Sequence, residues 1–257
     1  MARVDYDRMA PDYVRGRTLP AEGMEAWRAA IEPWVPQRGG RSPVLDLGAG
    51  TGQFAAAIAD WFEVEVVAVE PSEGMRAQAG RAHPHPGVRC VAGRGERLPL
   101  RAGACAWAWV STVVHHLDDL DAAAAELGRV LRPGGAVLVR QAFPGRMEAI
   151  TLYGRFFPGA GARLVEAGGL PSVERVAAAF AGAGFRQEAL VPVAQVSAPS
   201  LAAYRERVRL RADTGLRLLD DDQFAAGLAA LDRAVAAETV PAPVVDRLDL
   251  LVLRKPA

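Results

Sequence analysis

Short apolar runs alternate with amphipathic segments along most of the chain. Runs rich in valine, leucine and alanine, bounded by glycine, proline or charged residues, are typical of buried strands, and the segments between them have helical spacing. Seven strands are predicted, at residues 44–47, 64–69, 88–92, 105–110, 136–141, 185–196 and 244–253. Alternation of strand and helix predicts an α/β fold with a mainly parallel sheet.

Three further regions look helical but fall outside this alternation: residues 1–38, 143–170 and 198–240. We therefore expect an N-terminal helical cap over 1–38 and a ligand-binding core over 39–142. Residues 143–257 would complete the sheet and carry two helical insertions, so that the chain is effectively one domain with a cap. Insertions between strands of a rigid sheet often contact substrate, and we expect these to do so.

Composition narrows the class of partner. Thirty acidic and thirty basic residues balance, which disfavours a nucleic acid partner. No apolar run approaches the roughly 20 residues of a membrane helix, and the first residues lack the apolar stretch of a secretory signal, so we expect a cytoplasmic protein without membrane contact. Cys90 and Cys105 fall in predicted strands and are expected to be buried apolar residues, not a disulfide or metal pair. The oligomeric state stays open, and a homo-oligomer is compatible with the sequence.

The most informative segment is a glycine loop between the first strand and a helix, Asp46-Leu47-Gly48-Ala49-Gly50-Thr51-Gly52. Glycine lets the backbone turn sharply and approach a ligand closely, and the amides at a helix start face that ligand. Glu70 closes the next strand, where a carboxylate can accept hydrogen bonds from ribose hydroxyls. These features alone fit either a nicotinamide cofactor or another adenosyl ligand. The spacing argues against the former, because Gln53 stands where a dinucleotide fold has its third glycine.

Further motifs follow in a fixed order. They are residues 44–52, 67–75, 95–99, 111–117 and 131–135. In this order they resemble the motifs of class I small-molecule methyltransferases dependent on S-adenosylmethionine, and residues 5–13 are more loosely similar to the N-terminal cap of that family. The resemblance implies a Rossmann-like, seven-stranded sheet with an antiparallel last strand and S-adenosylmethionine as cofactor. No metal ion is expected.

The resemblance also implies roles for individual residues. Around the methionine part of the cofactor it places Asp46, Gly48, Ala49 and Gly50, with Tyr13 and Arg17 reaching its carboxylate from the cap. Glu70 would hold the ribose, Ser111 would close the site beneath the sulfonium, and the adenine would lie near Pro71, Met75, Gly95 and Glu96. Two positions depart from the family pattern: Arg94 stands where many relatives have an acidic residue for the adenine amino group, and Ala106 stands where many have aspartate.

His115 and His116 follow the fourth strand at the edge where ligands bind. Histidine titrates near neutral pH, so either is a candidate general base, with His116 the first choice; the alternative is that they only hydrogen-bond the loop. His83 and His85, beside prolines in a turn, are expected to face solvent.

Two acidic clusters and one basic run have simpler interpretations. Asp118, Asp119 and Asp121 precede one helix and Asp220 to Asp222 another. The first cluster could also suggest a metal site, but both clusters are expected to cap those helices. The alternating arginines 205, 207, 209 and 211 are expected on a solvated helix face, with binding of an acidic substrate as the less favoured alternative.

The function expected from all of this is methyl transfer from S-adenosylmethionine to a small, partly apolar molecule such as a natural-product intermediate. The alternatives are a protein of the same fold that binds the cofactor but catalyses another step, such as cyclisation, or methylates nothing. An NAD-dependent dehydrogenase is the minor alternative.

Overall fold

The computed structural model describes residues 6–36, 42–166 and 170–257. Its centre is one sheet of seven strands: β1 (Val44–Leu47), β2 (Val66–Val69), β3 (Val88–Val91), β4 (Ala108–Ser111), β5 (Ala136–Gln141), β6 (Arg186–Ala198) and β7 (Val244–Arg254). The strand order is β3-β2-β1-β4-β5-β7-β6. Strands β1 to β5 pair in parallel, and β7 lies antiparallel between β5 and β6. The predicted fold, including its antiparallel last strand, is confirmed.

Helices cover both faces of this sheet. They are α1 (Tyr6–Arg17), α2 (Ala21–Ile31), α3 (Gln53–Phe62), α4 (Glu73–Ala82), α5 (Leu120–Val130), α6 (Pro158–Glu166), α7 (Val173–Gly182), α8 (Leu201–Arg209), α9 (Thr214–Arg217) and α10 (Asp221–Ala237). On one face, Trp27 of α2 and Ile58 of α3 pack with Trp109 of β4. On the other, Leu127 of α5 packs with Phe180 of α7. Burial of large apolar side chains on both faces fixes the strands whose ends carry the site.

The N-terminal helix lies against the core. The Asp7 carboxylate of α1 accepts hydrogen bonds from the Ser72 hydroxyl (2.7 Å) and the Gly74 amide (2.8 Å) at the start of α4. At its other end, Arg17 pairs with Asp213 at 2.8 Å, just before α9. Helix α1 therefore contacts both the segment after β2 and the helical insertion at residues 198–240. The expected boundary between cap and core, at residues 38 and 39, lies outside the described residues.

Several local predictions are confirmed. The Asp119 carboxylate caps α5 by accepting from the amides of Asp121 and Ala122, and Asp220 forms a complete capping box with Gln223 at the start of α10. Both insertions are helical, and the first contains a π-helix at Leu152–Phe156. No helix among the described residues combines the length and the apolar character needed to span a bilayer.

Other local predictions are wrong. Cys105 is buried as expected, but Cys90 is exposed, because β3 is the edge strand of the sheet. Cys105 makes only an isolated bridge to Leu131, so the ladder of β4 begins later than predicted. His83 and His85 are half-buried instead of solvent-facing: a ring nitrogen of His83 lies 2.8 Å from the Thr51 carbonyl oxygen, and His85 lies 3.0 Å from Asp60.

Candidate active site

The glycine loop lies at the carboxyl edge of the sheet, between β1 and α3. Gly48 and Gly50 have φ angles of +67° and +56°, in the left-handed region that favours glycine. A Cβ on Gly48 would lie 2.4 Å from Val113 Cγ2, whereas a Cβ on Gly50 would meet no protein atom within 4 Å. Gly48 therefore lets the loop pack against the segment after β4, and Gly50 faces open space in a cleft.

Glu70 fixes this loop from the end of β2. One carboxylate oxygen accepts the Gly50 amide at 3.0 Å, and the other accepts the Ser72 amide at 2.9 Å. The side chain is buried, and burial raises the pKa of its carboxyl group. Each carboxylate oxygen can accept more than one hydrogen bond, so Glu70 retains capacity for a ligand hydroxyl.

Asp46 is the most isolated acidic group of the site. It is 1% exposed, and its Oδ2 has no hydrogen-bond partner among the described residues. Burial, together with the charge of Glu70, raises the pKa of Asp46 to about 8. A buried carboxyl group in this condition is costly unless a bound molecule supplies a donor or a cation.

Two connected chambers open around the loop. The outer chamber encloses about 410 Å³ on the β2 side, and the inner chamber about 210 Å³ under the helical insertions. The residues that line both are Tyr13, Gly48, Gly50, Ser111, Thr112, His115 and Thr214. The glycine loop and the end of β4 therefore form the junction between the chambers.

Every site residue predicted from the sequence lies on this cleft. The outer chamber is lined by Glu70, Pro71, Met75, Gly95, Glu96 and His116. The inner chamber is lined by Arg17, Asp46 and Ala49, and the junction by Tyr13, Gly48, Gly50 and Ser111. The structure thus brings these residues together, and their individual roles stay predictions.

Arg94, which stands where many relatives have an acidic residue, interacts with two carboxylates in the outer chamber. Its guanidinium donates to the Asp118 carboxylate at 2.5 Å and lies 3.7 Å from Glu96. Glu96 in turn accepts the Asp118 amide at 2.7 Å. Arg94 therefore takes part in an ion-pair network across the outer chamber, in which Glu96 holds the loop before α5.

The two histidines differ in position. His115 lines both chambers, whereas His116 lines only the outer one; the rings are 3.9 Å apart. Burial, with smaller contributions from His116 and Arg17, lowers the pKa of His115 to about 3. Burial and the charge of Arg17 lower the pKa of His116 to about 4. Both rings are therefore neutral at pH 7 and able to accept a proton only weakly.

The sequence analysis missed several polar residues of the inner chamber. They are Arg140, Gln141, Tyr153, Tyr204, Asp213 and Asp246. Only Arg140 and Gln141 carried a usable signal, because two polar residues end an otherwise apolar strand at the ligand edge. The expectation that the run of arginines lies on a solvated helix face is wrong for Arg207. This residue lines the inner chamber and donates to the Gly16 carbonyl at 3.1 Å.

Residues 45–139 match the family described as "Methyltransferase domain". Over these residues the chain is similar to the class I S-adenosylmethionine-dependent methyltransferases. The cofactor is accordingly S-adenosylmethionine, as the motifs predicted. The unpartnered Asp46 and the open space at Gly50 fit such a ligand, which carries positive charge and needs close approach to the backbone.

Relatives match this chain over part of their length. A demethylmenaquinone methyltransferase from Beutenbergia cavernae is 34% identical over 137 residues, which is 53% of this chain and 55% of that protein. The chain thus spans about half the length of several curated relatives that it matches.

Solved structures with low identity share the fold. The [4+2]-cyclase SpnF superposes with a TM-score of 0.62 at 20% identity, covering 98% of this chain and 94% of that one. A geranyl diphosphate C-methyltransferase from Streptomyces coelicolor gives a TM-score of 0.56 at 16% identity, covering 90% and 76%. These likenesses concern the fold alone.

Proposed function

We propose that this protein transfers a methyl group from S-adenosylmethionine to a small, partly apolar molecule held in the inner chamber. The observation that carries the proposal is the pair of connected chambers. One has the residues expected around an adenosyl group, and the other is enclosed by helical insertions and meets the first at the glycine loop. A natural-product intermediate is the acceptor class that we favour, because a chamber of about 210 Å³ suits a compact molecule.

The residue roles follow the arrangement of the cleft. Asp46, with Gly48, Ala49 and Gly50, would surround the methionine end of the cofactor, and Glu70 would hold its ribose. Pro71, Met75, Gly95 and Glu96 would line the adenine, and Tyr13 and Arg17 would reach the carboxylate. Support for this orientation comes from the lining of the chambers: Asp46, Ala49 and Arg17 lie on the inner side, and the four adenine residues on the outer side.

The cofactor supplies a strongly electrophilic methyl group when bound. The protein's part is to hold the acceptor atom in line with the bond that breaks, and orientation of this kind lowers the barrier by several kcal/mol. Ser111 and Thr112 lie at the junction where transfer would occur. Thr112 is held with φ +54°, its amide donating to the Arg140 carbonyl at 2.8 Å.

An acceptor that must lose a proton would need a base near the junction. His116 was the first choice from the sequence, but its position in the outer chamber favours His115 for this role. The lowered pKa of His115 restricts it to acceptors that are already acidic.

The test is turnover with isotopically labelled S-adenosylmethionine. The purified protein is examined by native mass spectrometry for a co-purified ligand, and that ligand and a panel of small carboxylic acids, phenols and amines are then offered as acceptors. We expect S-adenosylhomocysteine and labelled product in equal amounts. Conversion of an acceptor without formation of S-adenosylhomocysteine would refute methyl transfer and favour another reaction, such as cyclisation.

A further inference from the structure

The inner chamber contains a buried arginine at the end of β5. Arg140 is 7% exposed, donates to the Ser111 hydroxyl at 3.0 Å and also donates to Gln195. Its guanidinium lies 5.0 Å from the Trp27 ring centroid and 5.5 Å from that of Phe54, and its Nε has no partner among the described residues. Burial, together with the nearby charge of Arg17, lowers the pKa of Arg140 to about 9.

A second arginine reaches the same chamber from α8. Arg207 donates to the carbonyl oxygens of Gly16 and Ser197, and burial together with Arg17 lowers its pKa to about 10. Arg205 and Arg209 on the same helix instead pair with Asp232, at 3.4 and 3.6 Å. The run of arginines therefore divides: Arg207 lines the chamber, and its neighbours form ion pairs outside it.

Two of the acidic residues of the chamber, Asp213 and Asp246, already have hydrogen-bond partners. Asp213 accepts from Arg17, the Tyr153 hydroxyl and the Gly215 amide. Asp246 accepts from the Thr151 amide and the Ser197 hydroxyl. Within the described ranges, neither Arg140 nor Arg207 forms an ion pair with a carboxylate.

The charged groups of the inner chamber do not balance once S-adenosylmethionine is bound. Three arginines, Arg17, Arg140 and Arg207, face three acidic residues, Asp46, Asp213 and Asp246, and the raised pKa of Asp46 keeps that carboxyl group largely neutral at pH 7 in the free protein. S-adenosylmethionine adds a net positive charge through its sulfonium and ammonium groups, which exceed its single carboxylate. Because buried charge is costly without compensation, one further anion would complete the occupied site.

One part of the chamber wall is apolar, formed by Met147, Ile150, Leu152, Leu164, Leu170 and Leu216. We propose that Arg140 and Arg207 form an anion-binding subsite, and that the methyl acceptor is a carboxylic acid with a small apolar body. A singly charged carboxylate fits better than a phosphate, because Asp213 and Asp246 on the same wall repel a dianion. This inference rests on the proposed function, since it names the acceptor class of the same site.

Binding of matched probes to the full-length protein tests the subsite. Carboxylates of four to ten carbons, their amides of equal length and octyl phosphate are titrated calorimetrically in saturating S-adenosylhomocysteine, which is net neutral and leaves charge recognition to the protein. Arg207→Gln and Arg140→Gln remove one cation each. Arg205→Gln is the matched control, from the same helix but outside the chamber.

We expect the best carboxylate to bind at least about tenfold tighter than its amide, as for a charge-assisted hydrogen bond. Either chamber variant should reduce this ratio to about threefold or less, and Arg205→Gln should leave it unchanged. Should Arg140→Gln not fold, Arg207→Gln gives the same comparison alone.

Equal binding of acid and amide, or no binding of any carboxylate, would overturn the proposed anion-binding subsite. As long as S-adenosylhomocysteine still binds, that result leaves the proposed function intact. Tighter binding of octyl phosphate than of octanoate would overturn the carboxylate assignment. Loss of S-adenosylhomocysteine binding by the wild-type protein is a different result, which contradicts the proposed function itself.

Discussion

Replacement of Gly50 by alanine separates the role of the loop in folding from its role in binding. Gly50 has φ +56°, and a Cβ there meets no protein atom within 4 Å, so the only cost in the free protein is the left-handed backbone. That cost is roughly 1–2 kcal/mol for alanine. For a chain of this size it corresponds to a fall in Tm of about 2–8 °C.

Gly134→Ala is the matched control. Gly134 has φ +75°, equally open surroundings and a place in the turn before β5, away from both chambers. We expect both variants to lose similar stability in thermal unfolding. Only Gly50→Ala should lose affinity for S-adenosylhomocysteine, by about tenfold or more, because its methyl group occupies ligand space.

Calorimetric titration and thermal unfolding of the two variants and the wild type are the measurements. An affinity for Gly50→Ala within about twofold of the wild type, alongside the expected stability loss, would refute the placement of the ligand against this loop. Equal loss of affinity in Gly134→Ala would show that the effect is general destabilisation instead of contact.

Three further predictions concern acidic residues and a thiol. Asp46 has its pKa raised from 3.8 to about 8, so the native state holds a proton that the unfolded chain releases, and the free energy of unfolding should fall as pH rises between these values. Asp46→Asn should flatten that dependence in urea unfolding at pH 5 and pH 8, and an unchanged slope would contradict the assignment. Asp220→Ala removes the carboxylate that accepts the Gln223 amide and should cost about 1 kcal/mol, measured against Asp222→Ala, and an equal loss in both would speak against the cap. Iodoacetamide should label exposed Cys90 and spare Cys105, as read by peptide mass spectrometry; labelling of Cys105 first would contradict the strand order at the sheet edge.

Local patterns in the sequence predicted the strands, the helix caps and the glycine loop because each depends on residues close together in the chain. Asp46, Gly50 and Glu70 could also be identified, because they lie at or just after the ends of strands of a parallel sheet and the ends of such strands meet at one edge. The position of Arg207 could not be predicted, because an alternating run of arginines on a helix does not show which side of the helix packs against the protein. That side is decided by contacts with Gly16 and Ser197, from other parts of the chain.

The prediction that Cys90 is buried was wrong for a related reason. Its segment has the composition of a strand, and the prediction of a strand was correct. Whether a strand is central or at an edge depends on the order of pairing, which local composition does not encode. The difference between His115 and His116 likewise arises from a single turn of 3₁₀-helix after β4, which places His115 at the junction of the two chambers and His116 in the outer chamber alone.

The central claim is that the cleft around the glycine loop binds S-adenosylmethionine. Its most direct test is calorimetric titration of the purified chain, freed of co-purified ligand, with S-adenosylmethionine, S-adenosylhomocysteine and NAD. We predict that one molecule of either sulfur compound binds per chain and that NAD does not bind. Binding of NAD with neither sulfur compound bound would contradict the account.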